Sequence, residues 1–198
     1  MAQRILIFRR GSLGDGVISL PALRFLAERH PGAERRILTN SPVTGRAQPI
    51  QSVLAPTGLV DGFFTLPAGT RDIGALWRLG RAIAAWGPRL LVYLSEPSSR
   101  PALMREMLFF SLCGIRRFVG LPFGTRRRRY RRLGERLWES EGARLLRCIG
   151  ADTAAAPAGD ALTADELAEA EARLAGWPGA GNFVAFSVGA KQDDKDWG

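Results

Sequence analysis

Histidine, cysteine and lysine are all scarce in this sequence of 198 residues, and each shortage narrows the chemistry it can carry. The single histidine, His30, stands in ERHPG, where a helix should stop, and reads as a C-terminal helix residue near the dipole. The two cysteines, Cys113 and Cys148, are far apart and match no metal or redox motif, so a reducing, cytoplasmic setting is expected. With so little His and Cys, neither a zinc site nor a Ser-His or Cys-His nucleophile is expected. No apolar run reaches the ~18 residues of a membrane-spanning helix. The longest, MLFFSLCGI, reads as a buried helix. RILIF near the start is too brief for a signal-peptide core and arginines follow it, so no signal peptide is expected.

Arginine is what the sequence has in excess. Of 28 basic residues only two, Lys191 and Lys195, are lysine, and both lie close to the end of the chain. The formal net charge is +9, and it would be +3 without the six arginines of TRRRRYRR: Arg126, Arg127, Arg128, Arg129, Arg131 and Arg132. A solvated charge run is the plain reading of that block. One interleaved aromatic, Tyr130, and no recognisable nucleic-acid fold around it argue against a nucleic-acid partner.

Short apolar strands alternate with helical patterns. RILIF, RRILTN, FFTLP, LLVYL and RRFVGL read as strands. Helices are expected over 17–29, over 72–86 with Asp72 as the cap, over 101–113 and over 133–149. Pro21 would fall in the first turns of its helix, where proline is better tolerated. This alternation predicts an α/β fold, a Rossmann-like doubly wound parallel sheet. The small-residue stretch ADTAAAPAGDA then reads as a linker. TADELAEAEARLAGW follows as a helix with a Thr163/Glu166 capping box, and NFVAFSVG as one buried strand. The expected organisation is a first domain over 1–152, a linker over 153–162, and the opening of a second α/β domain over 163–198.

RRGSLGDGVISLPAL, directly after the first strand, is the most informative stretch. In doubly wound sheets ligands bind beyond the carboxyl ends of the strands, which is where this loop falls. Gly11, Gly14 and Gly16 space as GxxGxG, not the GxGxxG of dinucleotide sites, and Asp15 occupies the place of a pyrophosphate. Asp15 reads either as a helix N-cap or as a general base. A carboxylate at a helix N-terminus is favoured in its charged form by the dipole. It suits a reaction in which the attacking hydroxyl loses its proton late, as in sugar transfer through an oxocarbenium-like transition state. Gly14 and Gly16 would let another molecule approach the backbone closely. At the other end, SVGAKQDDKDWG reads either as a polar terminus or as a phosphate-binding loop, with Lys195 meeting a diphosphate and backbone N–H groups after Gly189 assisting.

Taken together, the two ends resemble the family-9 glycosyltransferases, the ADP-heptose:lipopolysaccharide heptosyltransferase family. Arg9, Ser12, Gly14, Asp15 and Leu20-Pro21-Ala22-Leu23 match its opening strand, basic residue, small-residue turn, Gly-Asp pair and following helix. Asp193-Asp194-Lys195-Asp196-Trp197 is similar to its Lys-x-Trp-Pro donor motif, although Gly198 stands in the place of the proline. LLVYLSEPSSRPALMREMLFFSLCGIRRFVGL looks like its fourth strand, helix and fifth strand, with Ser95-Glu96-Pro97 replacing a Gln-Gly-like turn.

The resemblance implies the N-terminal domain of a GT-B glycosyltransferase and the start of its nucleotide-sugar domain. It implies inverting transfer of heptose or a related sugar, without metal or cofactor, from a nucleotide diphosphate donor of the ADP-heptose kind to a lipopolysaccharide-type glycolipid acceptor. Asp15 would then be the base, with Arg9, Ser12 and Gly14 shaping the loop beside it. Lys195, Lys191 and Gly189 would meet the donor diphosphate. The arginine block from Arg126 to Arg132 would face an acidic acceptor or touch an anionic membrane, placing the protein in the cytoplasm and peripherally at the inner membrane face. These 198 residues alone would turn over little or not at all. The competing reading is a non-catalytic α/β module that binds an acidic glycan or nucleotide.

Overall fold

The computed structural model describes residues 3–41, 48–67, 72–96, 99–124, 130–151 and 164–175. Five strands form one sheet: β1 (Arg4–Phe8), β2 (Glu34–Ser41), β3 (Gly62–Pro67), β4 (Leu90–Tyr93) and β5 (Arg117–Val119). Their order is β3-β2-β1-β4-β5, and every neighbouring pair is parallel. Of the three interior strands β1 and β4 are the most apolar in sequence, RILIF and LLVY, as is usual for parallel strands covered on both faces. The expected α/β class and parallel sheet are what the chain adopts.

Alternation along β1 sends Leu6 and Phe8 to one face and Ile5 and Ile7 to the other. On the first face Leu6, Phe8, Leu38, Leu91 and Tyr93 pack with Ile83 and Trp86 of α3 (Ile73–Trp86) and with Leu103 and Phe110 of α4 (Arg100–Leu112). Phe8 meets Tyr93 and Phe110 edge-to-face, each with centroids 5.3 Å apart, an arrangement that favours the ring quadrupoles. The other face is covered by α1 (Leu13–Arg29), which packs on the short α2 (Gln51–Leu54) and on α5 (Glu141–Cys148). Gly142 places the start of α5 against α1, where even a Cβ would make ordinary contact with the Ile18 carbonyl oxygen at 3.4 Å. Asp72 caps α3 as expected, its Oδ1 accepting from the Gly74 N–H at 2.8 Å. His30 is the C-cap of α1.

Two expected helices differ. α1 begins at Leu13 rather than 17, since Ser12 is its N-cap, and Pro21 therefore lies well inside it. The helix expected over 133–149 is only Glu141–Cys148. Its first half is instead a tight loop in which the Leu133 N–H donates to the Leu137 carbonyl at 2.8 Å and Arg132 pairs with Trp138. Tertiary demand explains the loss. Glu139 is buried against Arg147, with both guanidinium contacts at 2.7 Å, and Ser140 starts a new helix by accepting from the Ala143 N–H.

The chain divides into two compact units, 1–159 and 160–198. In the second, α6 (Ala164–Ala175) is described, with a surface Glu169–Arg173 pair at 2.6 Å. The linker over 153–162, the Thr163 cap, the NFVAFSVG strand and residues 189–198 fall outside the described residues.

Gly120 ends β5 at φ +83°, and a Cβ there would lie 2.6 Å from the Tyr93 carbonyl oxygen. Gly120→Ala is expected to destabilise the protein by about 2 kcal/mol or more, combining left-handed backbone strain with that clash. Urea unfolding of the two proteins measures it.

Candidate functional site

Arg9 is the next residue after Ile5 and Ile7 on the α1 side of β1, so its side chain runs beneath the start of that helix. It is 1% exposed. Its Nη1 donates to the Leu94 carbonyl at 2.6 Å, its Nε to the Asp15 carbonyl at 3.3 Å and its Nη2 to Asp15 Oδ1 at 3.2 Å. The Glu141 carboxylate stands 3.7 Å from Nη1. Burial lowers the Arg9 pKa, while the charges of Asp15 and Glu141 work in the opposite direction and only partly offset it. An arginine starts so high that the group stays a cation, and that cation is shared by two carboxylates.

The loop above Arg9 is shaped around Asp15. Gly11 has φ +140°, and a Cβ on it would lie 2.2 Å from Asp15 Oδ2, so the carboxylate occupies the space that a side chain at Gly11 would fill. Asp15 Oδ2 accepts from the Ser12 N–H at 2.8 Å, one arm of a capping box. Asp15 is therefore the third helical residue, reaching back to the cap, and Ser12 is the cap itself. The rest of the loop is tied to the neighbouring strands. The Gly11 N–H donates to Asn40 Oδ1 and the Arg10 N–H to Ser95 Oγ, each at 2.9 Å. Ser95 Oγ donates in turn to the Phe8 carbonyl at 3.3 Å.

The carboxyl ends of β1, β2 and β4 thus meet at one loop. It sits between β1 and β4, where chain progression across the sheet reverses, the usual ligand position in such folds. The Asp15 side chain is 32% exposed there. Among the described residues nothing lies within 4 Å of a would-be Cβ on Gly14, so they leave that flank open, as a close-approach role requires. Gly16 is different. It is buried, and a Cβ on it would lie 2.9 Å from Ile50 Cγ1, so it serves packing of α1 on α2 and not ligand access.

A second layer holds Glu141 in place. Arg144 is buried and binds Glu141 through two contacts of 2.5 and 2.6 Å. The Tyr130 hydroxyl donates to Glu141 Oε2 at 3.0 Å. Burial pushes the Glu141 carboxyl up, but hydrogen bonds from Arg144 and Tyr130 and the charge of Arg9 outweigh it and leave it lowered. Glu139 is lowered in the same way: burial raises it, and Arg147 with the Arg131 N–H more than compensates.

Arg9, Ser12, Gly14 and Asp15 are therefore brought together. Of the arginine block, Arg131 donates its backbone N–H to Glu139, and the Arg132 guanidinium bonds the Gly134 and Glu135 carbonyls. Residues 126–129 and the tail residues Gly189, Lys191 and Lys195 lie outside the described residues. Sequence reasoning missed Glu141, Arg144, Ser95 and Asn40. The serine directly before Glu141 and the i, i+3 spacing to Arg144 were signals for part of this. Among the described residues no three His, Cys, Asp or Glu side chains converge, and no helix is long and apolar enough to cross a membrane.

No protein-family model matches the sequence, and no curated protein matches it. Solved structures do. The family-9 glycosyl transferase of Veillonella parvula superposes with a TM-score of 0.55 at 15% identity, over 99% of this chain and 56% of that one. This chain has the fold of a family-9 glycosyltransferase. The Escherichia coli heptosyltransferase WaaC with ADP gives a TM-score of 0.55 at 17% identity, over 99% and 61%. The same enzyme with ADP-2-deoxy-2-fluoro heptose gives 0.50 at 14%, over 99% and 62%. The chain spans about three-fifths of the length of these glycosyltransferases.

Because Glu139 and Glu141 are lowered below the ordinary carboxyl value near ~4.3, their stabilisation is complete above that value and is lost as pH falls through the folded-state values. The Glu139→Gln/Glu141→Gln protein is expected to be less stable than the parent at pH 7. It should also lose less stability on acidification below about pH 4. Urea midpoints across a pH series test both statements.

Proposed function

We propose that this chain is the acceptor-binding half, with the beginning of the donor half, of an inverting glycosyltransferase that moves heptose or a related sugar from a nucleotide diphosphate to a lipopolysaccharide-type acceptor. The observation that carries the reading is the part-exposed Asp15 carboxylate at the reversal point of the sheet, oriented by buried Arg9. Asp15 is the general base. It takes the proton of the acceptor hydroxyl as that oxygen bonds the anomeric carbon from one side and the diphosphate leaves from the other. Among the described residues each carboxylate oxygen has one partner, Arg9 or the Ser12 N–H, and so keeps a lone pair for the incoming proton. The open flank at Gly14 gives the acceptor its approach. ADP-bound WaaC, with the same fold, supports a nucleotide-sugar partner.

In this reading Lys195, with Lys191 and the backbone at Gly189, meets the departing diphosphate in place of a metal ion. The block from Arg126 to Arg132 meets acidic groups of the acceptor.

Sugar transfer by the full-length gene product, with ADP-heptose and a heptose-deficient lipopolysaccharide, tests the class. Asp15→Asn keeps an oxygen for the Ser12 N–H and removes the base, and it is expected to lower kcat by at least ~100-fold. Normal transfer by that variant removes Asp15 from the mechanism. Transfer from no nucleotide sugar, by folded protein, leaves the binding-module reading. Lys195→Ala is expected to raise KM for the donor, and an unchanged KM removes the diphosphate role.

A further inference from the structure

The outer surface of α3 and α4, away from the Asp15 loop, carries apolar side chains that a water-facing surface has no use for. Ile73 and Trp77 on α3 are 80% and 60% exposed, and Leu112 on α4 is 79% exposed. They line one groove of about 390 Å³ between the two helices, whose floor includes Gly80 and Cys113. Leu108 and Met104 continue the α4 line toward its start, one turn apart, at 62% and 58% exposure. Arg81 lies over the Trp77 ring with its guanidinium carbon 4.9 Å from the centroid, a cation held above an apolar plane.

The groove does not end in carboxylates. Past Ala84 and Cys113 it opens into a second pocket of about 650 Å³ at the amino ends of β4 and β5, lined by Arg89, Arg116 and Arg117. All three arginines are exposed, and among the described residues none has a side-chain hydrogen bond or ion pair. The same edge lowers the His30 imidazole, through burial first and then through Arg29, Arg117 and Arg35. The nearby acids are committed elsewhere: Asp72 to Arg78, Glu34 to Arg4 and Arg36, and Glu106 to Arg10 and Tyr93. An apolar groove running into a free trio of arginines is the complement of an anionic amphiphile. A second copy of this chain docked by two-fold symmetry would bring the same arginines in from both sides, so self-association is the poorer occupant.

We propose that this face docks on an anionic phospholipid bilayer, with lipid phosphate in the Arg89/Arg116/Arg117 pocket and Ile73, Trp77 and Leu112 among the upper acyl chains. Two helices lying flat, apolar outward, with Trp at the interface and arginines at the rim, have the form of an interfacial anchor. The proposal does not depend on the transfer reaction, because it concerns the opposite edge of the sheet and needs no sugar.

The test is flotation of the full chain with vesicles of phosphatidylcholine alone or with phosphatidylglycerol added, neither containing glycolipid. Binding is expected only to the anionic vesicles. It should weaken at least about tenfold in Arg89→Ser/Arg116→Ser/Arg117→Ser, since each basic group near such a surface contributes severalfold. Trp77→Ser/Leu112→Ser should weaken it comparably, while serines at Arg126 to Arg129 leave it largely intact. As a readout that alters almost nothing, phosphatidylglycerol brominated in its acyl chains should quench tryptophan fluorescence in the parent and lose most of that quenching in Trp77→Phe. Parent-like binding by the triple arginine variant overturns the proposal. So does binding lost only with Arg126 to Arg129, or a Trp77 left unquenched. A dimer by sedimentation velocity that Trp77→Ser/Leu112→Ser dissociates also overturns it, and assigns the face to a second copy.

Discussion

One buried cation organises the carboxyl edge of this sheet. Arg9 cannot reach water, so its guanidinium must be met within the fold, and it is met by the Leu94 carbonyl at the end of β4, by Asp15 in the first turn of α1 and by Glu141 in the first turn of α5. Three chain segments far apart in sequence are thereby fixed to one point. Leaving a buried charge without its partner costs roughly 3–5 kcal/mol, whereas a surface pair such as Glu169–Arg173 contributes about 0–1 kcal/mol. That difference explains why α5 begins where it does. Glu141 must stand within reach of Arg9 and Arg144, and the sequence before it gives up helix for a loop that delivers it there.

The parallel sheet gives the two ends of the molecule different characters. All carboxyl ends share one edge, and there Asn40 at the end of β2 and Ser95 just past β4 hold the backbone of the loop that follows β1 and carries Asp15. All amino ends share the other, and arginines gather there: Arg4 on β1, Arg35 on β2, Arg89 before β4, and Arg116 and Arg117 at β5. A single strand direction thus separates a carboxylate-centred loop from a basic rim without any further device.

Much of this was legible from residues alone, for identifiable reasons. RILIF and LLVY announce doubly covered strands because burial on both faces removes the polar alternation that would make them ambiguous. Asp72 and Gly87 mark α3 because capping is local chemistry. The Asp15 loop was legible as a place, because glycines crowd a strand-to-helix turn there. Its wiring was not. Nothing in RRGSLGDG says that Arg9 points inward, that Gly16 serves α2, or that Glu141 arrives from more than a hundred residues away. The overlong helix expected over 133–149 failed for the same kind of reason. Local periodicity favoured it, and a buried pairing of Glu139 with Arg147 prevailed.

Gly11 and Asp15 occupy a single volume, and that shared occupancy limits how this loop can evolve. A side chain at Gly11 and a carboxylate at Asp15 exclude one another, and the φ of +140° at Gly11 strains any side chain there whatever the space. Shrinking Asp15 to admit such a side chain would strip the loop of its acid, leave the Gly11 backbone strained and take from Arg9 the carboxylate that hydrogen-bonds it. Glycine at position 11 is therefore fixed twice over, by its own backbone and by the carboxylate four residues on.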